Sequence, residues 1–88
     1  MPAVVVHVPA VLSSPEPARD IACEAATVGE ALLAVAARAP QYEQRIFYGD
    51  RLLVTVAVNG RHLPHADVER TLLAAGDRVD LLPPVAGG

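Results

Sequence analysis

One stretch of this chain has helical periodicity, and alternating apolar segments flank it on both sides. That arrangement leaves few ways to bury the apolar faces. Val28, Leu32, Val35 and Ala39 recur at the spacing of one helix face, with Leu33 and Ala36 widening the stripe. Thr27 and Glu30 have the spacing of a capping box, which satisfies free amides of the first turn. Pro40 disfavours helical backbone at the residue before it, so the helix should stop near Arg38. A single amphipathic helix is buried most simply across one face of a sheet. The pattern predicts an α+β fold, a mixed sheet with one main helix packed across one face.

The strands are read from period-two alternation. Ala3 to Val8 is a β-branched strand with Val4, Val6 and Val8 on one face and Val5 and His7 on the other. Pro9 to Pro17 reads as a loop, broken by Ser13-Ser14-Pro15 and Pro17. Arg19 to Ala25 is a second strand with Ile21, Cys23 and Ala25 on the apolar side, and the two strands suggest a hairpin. Gln41 to Arg51 reads as an irregular connection with Ile46 and Phe47 tucked beneath it. Leu52 to Val58 is a third strand. Asn59-Gly60 then gives a type I′ hairpin signal, since both residues tolerate positive φ. Arg61 to Leu63 starts a short return strand, limited by Pro64. Asp67 to Ala74 reads as a brief helical turn, and Ala75-Gly76-Asp77 turns into the last strand, Arg78 to Leu82.

Composition narrows the function classes. Hydrophobic residues make up 52% of 88 residues, which favours one small globular domain. Tyr42, Phe47 and Tyr48 are its aromatic residues, so Val, Leu and Ala must fill the core. A net charge of −3 without a basic run argues against nucleic acid. No apolar run approaches membrane-spanning length, and the Met1 end lacks the basic region of a signal peptide. Cys23 is alone and excludes an intrachain disulfide, so the cytoplasm is the expected compartment. All seven basic residues are arginine, leaving no lysine side chain to be acylated or linked into chains.

The last six residues, Pro83-Pro84-Val85-Ala86-Gly87-Gly88, do not suit a core. The prolines hold the backbone extended and stop it pairing as a strand. Glycine has no Cβ, so partner walls can close on the backbone from both sides. Six residues reach roughly 20 Å. The chain therefore divides into a domain, 1–82, and a flexible C-terminal tail, 83–88, able to enter a partner's active site.

Gly76-Asp77-Arg78-Val79 leads through Asp80-Leu81-Leu82 into this tail, and Val56-Ala57-Val58-Asn59-Gly60 lies upstream. In order and spacing these resemble the ubiquitin-like sulfur carriers of the MoaD/ThiS group, with their V-N-x turn, G-D-x-V strand start and P-P-V-x-G-G end. The resemblance spans essentially the whole chain. It implies the ubiquitin-like β-grasp, with the first and last strands parallel and central. The tail is most similar to small subunits of molybdopterin synthase, but their L-R-E-type stretch after the first strand is missing. Val8-Pro9-Ala10-Val11-Leu12 is instead similar to I-P-T-x-L in carriers feeding cysteine or secondary-metabolite sulfur.

The chain offers little chemistry of its own. His62-x-x-His65 lacks carboxylates or thiolates spaced to complete a metal site. Ser13 and Ser14 have no base nearby, Cys23 alternates onto an inward face, and no Gly-rich phosphate loop occurs. The resemblance implies that the chain is not an enzyme but a protein co-substrate. In that reading the Gly88 carboxyl, presented through Gly87, is adenylated by an E1-like partner using ATP. A sulfurtransferase, persulfide or sulfide then converts it to a thiocarboxylate, which a sulfur-accepting synthase consumes. This chain itself is expected to bind no cofactor and no metal. The alternative is a protein modifier joined through Gly88 to target amines.

Alternation also gives a docking surface. With Val79 and Leu81 inward, Asp80 and Leu82 face outward, as does His7. The implied parallel pairing sets His7 beside Leu82 at the root of the tail. Leu82, His7, Pro83, Pro84 and Val85, with His62, form the expected patch for partner enzymes.

Overall fold

The computed structural model describes residues 1–49 and 51–83. Seven strands are present among them. The main sheet holds β1 (Ala3–Val8), β2 (Arg19–Glu24), β5 (Thr55–Val58), β6 (Arg61–His62) and β7 (Arg78–Leu82), in the order β2-β1-β7-β5-β6. β1 pairs antiparallel with β2 and parallel with β7, and β7 pairs antiparallel with β5. First and last strands are therefore parallel and central, as the resemblance implied. β3 (Phe47–Tyr48) and β4 (Arg51–Leu52) form a separate small hairpin.

The main helix, α2 (Val28–Arg38), begins and ends as its caps dictate. The Glu30 amide donates to Thr27 Oγ1 at 3.2 Å, and the helix stops before Ala39-Pro40. Two more of its first amides find carbonyls on a distant segment, Val28 to Thr71 at 2.9 Å and Gly29 to Glu69 at 3.1 Å. Its buried face is Val28, Ala31, Leu32 and Val35, against Val4, Val6, Val8, Ile21, Cys23, Val56, Val79 and Leu81 of the sheet. Leu33 does not widen this stripe. It is 64% exposed, because the arc through 28, 31, 32 and 35 leaves position 33 on the solvent side.

Two helices occupy stretches expected to be irregular. α1 (Ala10–Ser13) is a single turn directly after β1, and Leu12 and Ser13 are buried in it. Ser13 Oγ lies within hydrogen-bond distance of the Glu16 and Pro17 carbonyls, at 3.0 and 2.8 Å, which fixes the following loop. α3 (Pro40–Ile46) begins on the same proline that ends α2. Proline lacks the amide that a first turn does not use, so it starts a helix as readily as it stops one. Tyr42 and Ile46, four residues apart, are both buried on its inner side.

The segment before β7 is a single 3-10 turn, His65–Asp67, and then a bridge of Leu72 to Thr27. It does not extend as a helix to Ala74. The strand expected from Leu52 onwards is interrupted after Leu52 and resumes at Thr55. Among the described residues no helix is long and apolar enough to cross a membrane.

Candidate functional site

Two turns at one pole of the sheet are joined by side chains. Asn59 has φ 50° and Gly60 φ 85°, the left-handed pair of a type I′ turn. Asn59 Nδ2 donates to Asp77 Oδ1 at 2.9 Å, and the Arg78 amide donates to Asn59 Oδ1 at 2.9 Å. The Ala74 amide donates to the other Asp77 oxygen at 2.8 Å. Two turns distant in sequence are thus one assembly, and it fixes where β7 begins.

From there alternation takes over. Val79 and Leu81 are fully buried, while Asp80 and Leu82 lie half-buried on the face away from the helices. Register then sets their neighbours. Asp20 pairs with His7, His7 with Asp80, Asp80 with Ala57, and Ala57 with His62. A single row of side chains crosses all five strands of the open face. His7 Nδ1 lies 2.7 Å from Asp20 Oδ1, and Arg78 Nε donates to Asp80 Oδ1 at 3.0 Å. Ala57 is 3% exposed and forms an apolar step between the Asp80 and His62 positions.

Leu82 belongs to the next row. Its partner on β5 is Thr55, and His7 stands opposite Asp80 rather than beside Leu82. The sequence reading had the correct face but a register two residues off. A two-residue slip keeps every side chain on its own face, so alternation alone does not distinguish the two registers. His62 joins the same open face, exposed on β6. Pro83 is exposed where the chain leaves the sheet. Pro84, Val85, Gly87 and Gly88 lie outside the described residues.

Sequence reasoning placed Asp80 on this face but missed Asp20, Arg78 and Thr55 as members of this surface. The signal available for Asp20 was its outward position in a strand adjacent to β1, which matters only once strand order is known. Other nucleophile candidates are occupied. Burial pushes the Cys23 thiol up, though nearby Arg38 opposes this, and Ser13 is tied to its own loop. His65 Nε2 lies 3.2 Å from the Val54 carbonyl. Among the described residues no group of three or more His, Cys, Asp or Glu side chains gathers as a metal site requires.

A family model described as the ThiS family matches residues 10–88. No curated protein sequence gives a significant match. Solved structures do. A chain in the crystal structure of the Amycolatopsis orientalis BexX/CysO complex is 26% identical, with 98% of this chain and 100% of that chain covered and a TM-score of 0.75. The solution structure of small archaeal modifier protein 1 from Methanosarcina acetivorans is 27% identical, with 100% and 98% covered and a TM-score of 0.74. Crystalline SAMP1 from Haloferax volcanii is 29% identical, with 98% and 99% covered and a TM-score of 0.69. These neighbours share the β-grasp architecture.

Proposed function

Because the chain belongs to the ThiS family, we propose that it is a sulfur carrier whose reacting group is the carboxyl of Gly88. The family match across residues 10–88, tail included, is the observation that carries this reading. A carboxylate is a poor electrophile, because its charge repels nucleophiles and oxide is a poor leaving group. Activation repairs both. In a partner E1-like enzyme the Gly88 carboxylate attacks the α-phosphorus of ATP, releasing pyrophosphate and forming an acyl-adenylate. Sulfide attacks the acyl carbon, the C–O bond to AMP breaks, and a thiocarboxylate remains. A persulfide from a sulfurtransferase serves equally, with a second thiol cleaving the acyl disulfide it leaves. The thiocarboxylate sulfur then attacks an electrophile bound to the acceptor enzyme, and hydrolysis regenerates the carboxylate.

The chain's own share of this chemistry is presentation. β7 delivers the tail from the middle of the sheet, and Pro83-Pro84-Val85 stiffens its base. Leu82, with His7, His62 and the tail residues, is the docking patch for both partner enzymes. The row from Asp20 to His62 gives that patch polar character for orientation around an apolar step. The use of ATP by the partner puts the cycle in the cytoplasm. For the acceptor, a synthase of cysteine or natural-product formation ranks ahead of molybdopterin synthesis. Val8-Pro9-Ala10-Val11-Leu12 and the likeness to a chain of the BexX/CysO complex both support that order.

The neighbours named small archaeal modifier protein favour a second reading, in which a target amine attacks the same activated carbonyl. One experiment separates the two. The chain is incubated with ATP, sulfide and its cognate adenylating enzyme, then with target proteins, and intact masses are recorded. Exchange of one oxygen for sulfur on the free chain supports the carrier. Adducts through Gly88 on target amines, with no thiocarboxylate formed, support the modifier instead.

A further inference from the structure

A groove opens beside the edge strand β6. Val58, Asn59, Arg61, Leu63, Thr71 and Leu72 line it, around about 300 Å³. Register decides which side of the sheet it lies on. Arg61 pairs with Val58, and Val58 packs against the core. Residues paired across two strands share a face, so Arg61 lies on the helix side and its neighbour His62 on the open face. The groove is therefore on the opposite side of the sheet from the row that runs from Asp20 to His62.

One wall is held by the start of α2. The Val28 amide donates to the Thr71 carbonyl at 2.9 Å, and the Leu73 amide donates to the Ala26 carbonyl at 2.9 Å. Leu73 is buried by this attachment, and alternation turns Leu72 outward, 79% exposed. The other wall is Val58 and Leu63, both half-buried against the core. The Leu63 amide donates to the Val56 carbonyl at 2.9 Å, which keeps that wall in line with β5. An exposed leucine alone needs no explanation. Three aliphatic side chains around one concavity offer an incoming side chain apolar surface on two sides.

The polar groups narrow the occupant. Asn59 has its side-chain amide engaged, donating to Asp77 and accepting from the Arg78 amide. Thr71 Oγ1 donates to the Asp67 carbonyl at 2.7 Å. Carboxylates of the adjoining turns are also engaged, Asp67 with Arg70 at 3.5 Å and Asp77 with Asn59 and the Ala74 amide. Arg61 differs: among the described residues its guanidinium makes no hydrogen bond or ion pair. A bare guanidinium beside apolar walls matches a carboxylate that is close to an aliphatic group. The groove is at the small end of ligand cavities, and exposed Arg61 and Leu72 leave it open, so it suits one or two side chains of a longer chain.

We propose that this groove is a second docking site, and that it takes an extended segment of a partner protein with a branched aliphatic residue two positions from a carboxylate. Residues two apart share a face of an extended segment, so both side chains enter together. The aliphatic group sits among Val58, Leu63 and Leu72, and the carboxylate accepts from Arg61. Because the site is on the helix side, it can be filled while an enzyme occupies the open face. It does not rest on the activation of Gly88.

The test titrates the isotopically labelled chain with two capped peptides, leucine-glycine-glutamate and the reverse order, and follows backbone amide shifts. At least one peptide should give saturable shifts centred on Val58, Arg61, Leu63, Thr71 and Leu72. Glutamine in place of its glutamate, or the Arg61→Gln variant, should weaken binding about tenfold. Leu72→Ser should weaken it as well. Leu33→Ser should not, since it removes an exposed leucine of α2 that lies outside the groove. Arg61, Leu72 and Leu33 are all exposed, and amide spectra confirm that each variant is folded. The proposal is overturned if neither peptide shifts the groove, if the glutamine peptide binds as tightly as the glutamate peptide, or if Arg61→Gln has no effect. Isocaproate bound as tightly as the peptide would also overturn it, by making the groove a site for small acids.

Discussion

The side chain of Asn59 donates to the carboxylate of Asp77 at 2.9 Å, binding the hairpin turn between β5 and β6 to the turn that begins β7. The two motifs that pointed to a sulfur carrier, Val58-Asn59-Gly60 and Gly76-Asp77, are each other's partners. Their hydrogen bonds fix where β7 begins.

Gly60 has φ 85° and open space around it, so a side chain there is strained by backbone conformation alone. Gly60→Val should lower stability by about 1 kcal/mol or more in denaturant unfolding. A fully stable variant that has lost sulfur acceptance would instead make the turn a site.

Asp77 gives the same assembly a pH signature. The Ala74 amide, and then the Asn59 side chain, hold its carboxyl below the usual carboxylate range. A depressed folded-state value stabilises the fold above the unfolded value near 3.8, and this is lost as pH falls through the folded value. The stability difference between wild type and Asp77→Ala should therefore be full near neutral pH and narrow below about pH 4. A difference that stays constant into acid would show that the carboxylate charge is irrelevant.

Gly29 is a glycine of another kind. A Cβ built on it meets the Glu69 carbonyl oxygen at 2.8 Å and Glu69 Cγ at 2.9 Å. The same close approach lets its amide bond that carbonyl at 3.1 Å. Gly29→Val should push α2 and the 69–71 segment apart and cost about 1–3 kcal/mol in chemical denaturation. An unchanged unfolding midpoint would mean that the segment is not held against the helix.

Much of this fold is legible from periodicity. β1, β2, β7 and α2 follow from alternation, a helical stripe and a cap, because each buries one face. α3 is not, since Pro40 reads as a terminator and the Tyr42–Ile46 spacing is too short a repeat to stand out. The faces of His7, Asp80 and Leu82 were readable, but their register was not. Pairing His7 with Asp80 depends on where the Asn59–Asp77 assembly starts β7, a contact between residues far apart in sequence. Leu33 shows the reverse error, an apolar residue counted into a stripe that the helix points to solvent.

The docking surface is tested at Leu82, half-buried on the open face opposite Thr55. Leu82→Glu should leave the fold intact and weaken binding of the cognate adenylating enzyme by about 1–3 kcal/mol, read by isothermal titration. Unchanged affinity in the folded variant would remove Leu82 from the patch.

The central claim is that Gly88 is the reacting residue, and intact mass tests it most directly. The wild-type chain, a chain lacking Gly88 and a chain with one residue added after it are each incubated with ATP, sulfide and the cognate adenylating enzyme. The wild type should exchange one oxygen for sulfur, and both altered chains should keep their masses while remaining folded. Sulfur gained by the chain that lacks Gly88 would contradict the account.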